Sequence, residues 1–260
     1  MREPCTPPEI EFHQAVYTGR FRDSAAITVG PLSLRIGSGE FFAVLCPECD
    51  TRNILLRMIA GLVLPSSGEV RISGKKVESG RQDFGIVFEQ PSLLEWRTLL
   101  ENVLLQIELR RMDLQQGKAQ ARRLFAAVGL SGYEDRMPHA LPLGLAQRVA
   151  LCRALVHNPS LLLMEDPFHS LDGLDREQMA VDLQRLGLTP KVTVVLFTAD
   201  IREAVQLSDR VAIMARDGRI LQPVSIDLAR PRRMDKSTTP KIAEYCSTIR
   251  TILHATGMLS

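Results

Sequence analysis

Cys46-Pro-Glu-Cys49 lies between a short apolar run and a stretch with helical spacing. In that setting two thiols separated by two residues acquire a lowered pKa and can exchange electrons. The same pair supplies only half of a tetrahedral metal site, so a metal would have to be shared across a dimer. A second reactive pair, Glu165-Asp166, ends the apolar run SLLLM. Two adjacent carboxylates ending a buried strand can simply solvate the edge of a sheet. His13, His139, His157 and His254 have no companion at ligand spacing, and Cys152 falls on an apolar helical stripe. None of these five is assigned chemistry.

The elements that position these residues follow from periodicity. Alternating apolar and polar positions in IEFHQAVYT and PLSLRI predict antiparallel strands. Residues 40 to 45, EFFAVL, read as a buried strand, and RNILLRMIAGL as a helix that stops near Gly61. EVRISGKKV predicts a strand and turn, FGIVF a strand, and residues 98 to 130 are helical. LGLAQRVALCRALVHNP is a helix ending before Pro159, followed by the buried strand SLLLMED, the helix LDREQMAVDLQRL and the buried strand KVTVVLF. Buried strands alternating with helices specify a parallel α/β sheet. Asp217-Gly218 marks a hairpin, and a basic tail, ARPRRMDKSTTP, leads to a short C-terminal helix.

With 260 residues the chain has room for a large domain and a lobe, and its +2 net charge has no strong sign to recruit nucleic acid or anionic lipid. No apolar run reaches the roughly 18 to 20 residues that span a bilayer. With no signal-peptide pattern in MREPCTPPEIEF, a cytoplasmic protein is expected. An odd number of scattered cysteines does not form a secreted disulfide framework.

Read in order, FFAVLCPECDTRNILLRMIAGL, VFEQPSLLEWRTLLENV, PHALPLGLAQRVALCRALVHNPSLLLMEDPFHSLD and VVLFTADIREAVQLSDRVAIM resemble the ATP-binding subunits of ABC transporters. SLLEWRTLLENV and RPRR are similar to the nitrate, sulfonate and taurine importer branch. The resemblance implies an α/β fold of the P-loop NTPase type: a mainly parallel sheet flanked by helices, with an N-terminal antiparallel β subdomain and a helical subdomain at about 91–158. It implies a nucleotide-binding domain over 1–222, with 223–260 as a basic tail and helix.

The family's phosphate loop uses glycines to turn backbone N–H groups around the phosphates, and adds a lysine and a hydroxyl residue that reaches Mg²⁺. Here the segment is Cys46-Pro47-Glu48-Cys49-Asp50-Thr51-Arg52-Asn53-Ile54. Cys46, Cys49 and Thr51 replace the glycines, and a non-glycine residue forced left-handed costs roughly 1 to 2 kcal/mol. Glu48 and Asp50 put carboxylates where phosphates belong, each contact costing several kcal/mol at ~4 Å and an effective dielectric of ~20. Arg52 keeps the lysine's charge on a planar fork, and Asn53 lacks the hydroxyl.

The family's acidic motif has aspartate before glutamate, whereas Glu165 precedes Asp166 here. Each carboxylate's reach changes by one methylene, which makes Asp166 a poor general base and leaves Glu165 as the Mg²⁺ candidate. Glu89 stands at the metal-linking glutamine position with Gln90 beside it, and Ala199 replaces the histidine that contacts the γ-phosphate. In the signature, Leu141-Pro142-Leu143-Gly144-Leu145, the serine is lost and Leu143 replaces a glycine, with Pro142 tolerated in a first helical turn. Phe21 or Tyr17 stands near the adenine-stacking aromatic, or simply packs.

Two surfaces follow from the resemblance. Leu93, Leu94 and Trp96 either anchor a cytoplasmic helix of a membrane permease or pack internally. Asp172 either crosses a dimer interface or caps the next helix. The expectation is therefore a subunit on the inner face of the cell membrane that binds ATP and Mg²⁺ weakly and hydrolyses ATP poorly or not at all. Its partners are a permease and a second cassette, identical or different, with no nucleic acid. The alternatives are an active but atypical ATPase driving uptake of a small anion, and a CxxC redox or metal protein.

Overall fold

The structure is a computed structural model that describes residues 8–20, 26–46, 49–81, 83–188, 190–215, 218–230, 232 and 238–256. Phe21, Pro47, Glu48 and Asp217 lie outside these residues, as do the side chains of Cys49 and Asp50.

Strands β1 (Ile10–Arg20) and β2 (Ala26–Ile36) pair antiparallel, and β4 (Ser67–Ile72) with β5 (Lys75–Lys76) completes a four-stranded sheet of order β2-β1-β4-β5. Leu32, Leu34 and Ile36 are buried while Pro31, Ser33 and Arg35 between them are exposed, the period-two pattern of a strand with one wet face.

The second sheet is built from β3 (Phe41–Leu45), β6 (Phe84–Val87), β7 (Leu161–Glu165), β8 (Thr193–Thr198), β9 (Arg210–Ile213) and β10 (Val224–Ser225), in the order β10-β9-β3-β8-β7-β6. All its pairings are parallel except β10 with β9. Its central strands are apolar throughout because both faces are covered. Phe42, Val44, Leu163, Val195 and Phe197 face a core shared with the antiparallel sheet and helix α1 (Cys49–Ile59). Phe41, Ala43, Leu45, Met164 and Leu196 face a second core on the opposite side.

That second core is closed by α2 (Leu99–Leu109), α3 (Leu114–Ala127), α4 (Leu143–Leu155), α5 (Gly173–Arg185), α6 (Ile201–Leu207) and α7 (Thr238–Ala255). Local signals set the helix ends. Helix α2 opens with a capping box in which Thr98 accepts from the Glu101 backbone N–H and the Glu101 side chain accepts from that of Thr98. Asp113 and Asp200 cap α3 and α6. Gly61 stops α1 as expected: its φ is +66°, and a Cβ there would meet the Glu78 carbonyl oxygen at 2.4 Å.

The structure departs from the sequence expectation within residues 98 to 130, which form two helices separated by a turn at Arg111, whose φ is +52°. The C-terminal helix expected over KIAEYCSTIRTILHAT runs Thr238–Ala255, and its Ile242, Cys246, Ile249 and Leu253 recur at helical spacing and sink into the second core. Before it, Arg232 is fully buried and donates to the carbonyls of Val205, Ser208, Ile226 and Leu228, satisfying the open end of α6.

Thr198, at the end of β8, meets two carboxylates. Its hydroxyl lies 2.8 Å from Glu203 Oε2 and 3.4 Å from Asp166 Oδ1, and it accepts from the Asp200 N–H. One hydroxyl proton cannot serve both acceptors, whereas a protonated Glu203 can donate to Thr198 and release its proton for Asp166. Burial, reinforced by Asp200, pushes the Glu203 carboxyl up to about 7, against the opposing pull of Thr198 and Arg176. This contribution to stability is complete below the ordinary carboxyl range near 4.5 and is lost as pH rises through about 7. At most about 3 kcal/mol is involved, from a shift of that size. Between pH 5 and pH 8 the native chain should lose more urea stability than Glu203→Gln. Equal losses would show that Glu203 does not titrate in this range.

Candidate functional site

The parallel strands β3, β7 and β8 end at the same edge of the sheet, so the loops after them converge, as they do at ligand sites in α/β folds. The Cys46 N–H donates to the Thr198 carbonyl at 3.0 Å, locking the first loop to the third. Cys46 itself is buried. Helix α1 begins at Cys49, and neither Cys46 nor Thr51 has a positive φ. Thr51 lies within α1 and Cys46 follows directly on β3, so the backbone at these two glycine positions is not left-handed. Thr51, Arg52, Asn53 and Ile54 are all buried, Ile54 within the core beneath the sheet.

Arg52 reaches across to the second loop. Its Nη1 donates to Asp166 Oδ2 at 2.8 Å, and the two side chains are 4% and 6% exposed. Asp166 has a φ of +43°, a conformation that aspartate tolerates better than most residues. It is held there by its own N–H donating to the Phe197 carbonyl and by its carbonyl accepting from the His169 N–H. The His169 ring lies 3.8 Å from the same carboxylate and is largely exposed. Glu165 pairs in register with Phe197 and is half-buried. Among the described residues no three His, Cys, Asp or Glu side chains gather at metal-binding spacing.

The surrounding positions are connected to this pair. Gln90 Nε2 donates to Ser170 Oγ at 3.3 Å, bridging the segment after β6 to the loop after Asp166, while Glu89 is half-buried beside it. Ala199 is exposed. Asp172 caps α5, its carboxylate accepting from the Asp175 N–H. Tyr17 is half-buried and packs against the core between the two sheets.

In the segment Leu141-Pro142-Leu143-Gly144-Leu145, Pro142 is the N-cap of α4 and not a residue of its first turn, and no side chain caps that helix. Leu143 is exposed, while Leu141 and Leu145 pack against the second core. Gly144 is a close approach: a Cβ there would fall 2.1 Å from the Asp175 carboxyl carbon. The open first turn of α4 thus has a carboxylate from the same chain against it, an arrangement that the helix dipole favours.

Below this region, β6 forms the outer edge of the six-stranded sheet and helps to wall a cleft of about 570 Å³ with α2 and α4. Phe88 and Leu109 supply exposed apolar surface and Arg81, Arg110 and Arg153 the charge. Leu93, Leu94 and Trp96 stand outside its lining. Leu93 packs on the core, and Leu94 is clamped by buried Asn102, whose amide accepts from the Leu94 N–H and donates to the carbonyls of Leu94, Arg97 and Thr98. Trp96 is 74% exposed. Sequence reasoning missed Thr198, Glu203, Asp175 and the three arginines of the cleft. The arginines are scattered over more than 70 positions and share no local pattern.

The family model described as ABC transporter matches residues 29–169. The uncharacterized ABC transporter ATP-binding protein MJ0412 of Methanocaldococcus jannaschii is 39% identical over 85% of this chain and 82% of its own length. The taurine import ATP-binding protein TauB of Pseudomonas syringae is 37% identical, with 80% of each chain covered. The aliphatic sulfonates import ATP-binding protein SsuB of Escherichia coli is 36% identical over 80% of this chain and 79% of its own. Among solved structures, the dimeric bacterial ABC transporter cassette MJ0796 superimposes with a TM-score of 0.72 at 26% identity, covering 85% of this chain and all of that one. The shared architecture and this level of identity make the chain a member of the ABC transporter ATP-binding proteins, related to those named for taurine and sulfonate import.

Proposed function

We propose that the chain is a cassette subunit that docks on an integral membrane permease at the inner face of the cell membrane. It pairs there with itself or a second ABC ATPase, and it hydrolyses ATP weakly or not at all. The observation that carries this reading is the buried Arg52–Asp166 pair. A lysine-like cation that binds phosphate must be available to it, and a carboxylate that orients water or Mg²⁺ must have free oxygens. Here one Asp166 oxygen is taken by the guanidinium and the other lies near Thr198, so this carboxylate does not fit either task. Ala199 and Asn53 add no hydroxyl or imidazole, and the Asp175 carboxylate lies against Gly144 in the first turn of α4. Each such loss weighs heavily, since removing a single donor aimed at transition-state charge typically costs about 10² to 10³ in turnover. The names of the taurine and sulfonate relatives support a small anion as the permease's cargo.

A second reading, an active but atypical ATPase driving anion uptake, draws on the 36–37% identity to import ATP-binding proteins. The CxxC reading gains nothing from a Cys46 thiol that is buried.

Two outcomes are expected. Assayed beside a taurine import ATP-binding protein, the full chain should turn over MgATP at least about 10²-fold more slowly. A comparable rate that disappears in Asp166→Asn would establish the second reading instead. Arg52→Ala should destabilise the fold by about 3 to 5 kcal/mol in urea, because it strands a buried carboxylate. A loss below about 1 kcal/mol, the level of a surface pair, would show that the ion pair is not part of the folded ground state.

A further inference from the structure

A net charge of only +2 conceals an uneven distribution over the hairpin of α2 and α3. Helix α3 carries Lys118, Arg122 and Arg123 and no acidic residue, and Arg111 stands in the turn before it. Arg111, Arg122 and Arg123 are exposed and Lys118 is half-buried. Among the described residues none of these four side chains has a hydrogen bond, ion pair or ring contact. By contrast Arg35, Arg71, Arg97, Arg148 and Arg210 each face a carboxylate. The carboxylates beside the hairpin's turn are already engaged, Glu108 by Arg97 and Asp113 by the Gln116 N–H that it caps. The four cations are thus left to solvent.

Their placement makes one field of them. Leu114, Lys118 and Arg122 recur every four residues and share a flank of α3, with Arg123 beside them on the solvent side. At about 1.5 Å per residue Lys118 and Arg122 stand about 6 Å apart along the helix, inside the Debye length of about 8 Å at physiological salt. The opposite face of α3, with Gly117, Ala121, Leu124 and Phe125, is spent on the core. A Cβ at Gly117 would meet Ile107 Cγ1 at 2.8 Å, so the two helices pack closely and hold the stripe in place. Leu109 and Leu114, 70% and 43% exposed, flank the turn. Single-stranded nucleic acid would ask for exposed aromatic rings to stack its bases, and Phe125, the one aromatic residue between 99 and 127, is fully buried. A cationic stripe that ends in isolated leucines complements anionic headgroups over an apolar boundary, the character of a cytoplasmic leaflet.

Resting on the reading that the chain works at the inner face of the cell membrane, we propose that the α2–α3 hairpin is a contact surface for anionic phospholipid. Arg111, Lys118, Arg122 and Arg123 meet the phosphates, and Leu109 and Leu114 touch the apolar boundary at the tip. The apolar face of α3 stays in the protein core, so the contact is at headgroup level and largely electrostatic. Each basic residue near such a surface is worth about fivefold in partitioning, which makes the attachment weak alone. Combined with a permease, it raises the local concentration of the cassette beside its partner.

The test is flotation of the full chain with vesicles of phosphatidylcholine, with and without phosphatidylglycerol. The native chain should float with the phosphatidylglycerol vesicles alone, and should be released as salt rises from about 0.05 to about 0.3 M. Arg122→Gln combined with Arg123→Gln should weaken partitioning by about 25-fold. Lys75→Gln combined with Lys76→Gln removes as much exposed charge from β5 and should change it less than about threefold. Circular dichroism would verify that each variant is folded. Absence of flotation at low salt, or equal weakening by the two double variants, would overturn the proposal. Binding of a single-stranded oligonucleotide that depends on Arg122 and Arg123, without vesicle binding, would overturn it in favour of nucleic acid. No permease is present in this assay, so each of these results would leave permease docking standing; failure of docking itself would be read by co-purification with a permease.

Discussion

A guanidinium and a carboxylate 2.8 Å apart, with almost no access to solvent, pair across the ends of two strands, and neither can be withdrawn without stranding the other. In this chain the pair joins the first turns of α1 to the loop after β7, and Thr198 at the end of β8 lies beside the same carboxylate. Three strand ends that would otherwise form an open mouth are therefore held together by side chains of the protein itself. The desolvation cost of such a pair is offset only by good geometry and further hydrogen bonds, and the backbone contacts of Asp166 with Phe197 and His169 fix that geometry.

Other contacts also tie separate elements together from within. The Asp175 carboxylate lies against Gly144 in the first turn of α4. Gln90 donates to Ser170. Arg232 joins the carbonyls of Val205 and Ser208 near the end of α6 to those of Ile226 and Leu228. The arginine-lined cleft beside β6 differs, with exposed apolar side chains along it.

Much of the architecture was legible in the sequence for a plain physical reason. Strands buried on both faces read as continuous apolar runs, and FFAVL, LLLME and TVVLFT each became a central strand in the expected order. The end of α1 at Gly61 was legible because a positive φ beside a close backbone neighbour demands glycine. The helix pair α2 and α3 was not separated in advance, since the turn at Arg111 uses a non-glycine residue with positive φ and leaves no punctuation. At the site, residue identities at 52, 165, 166 and 199 could be read, but not their pairing. Arg52 and Asp166 are 114 positions apart, and only the convergence of two parallel strands brings them together. The course of the loop from Cys46 into α1 could not be read from the absence of glycines alone, since a helix that includes Thr51 asks for no positive φ there.

The central claim, that an internal ion pair takes the place of the phosphate interaction, is tested most directly by titration calorimetry of MgATP into the full chain and into Asp166→Asn. The native chain should show no saturable binding below about millimolar nucleotide. Replacing Asp166 should strengthen binding by removing the anion that holds Arg52. Micromolar, Mg²⁺-dependent binding to the native chain, weakened in Asp166→Asn, would contradict the account.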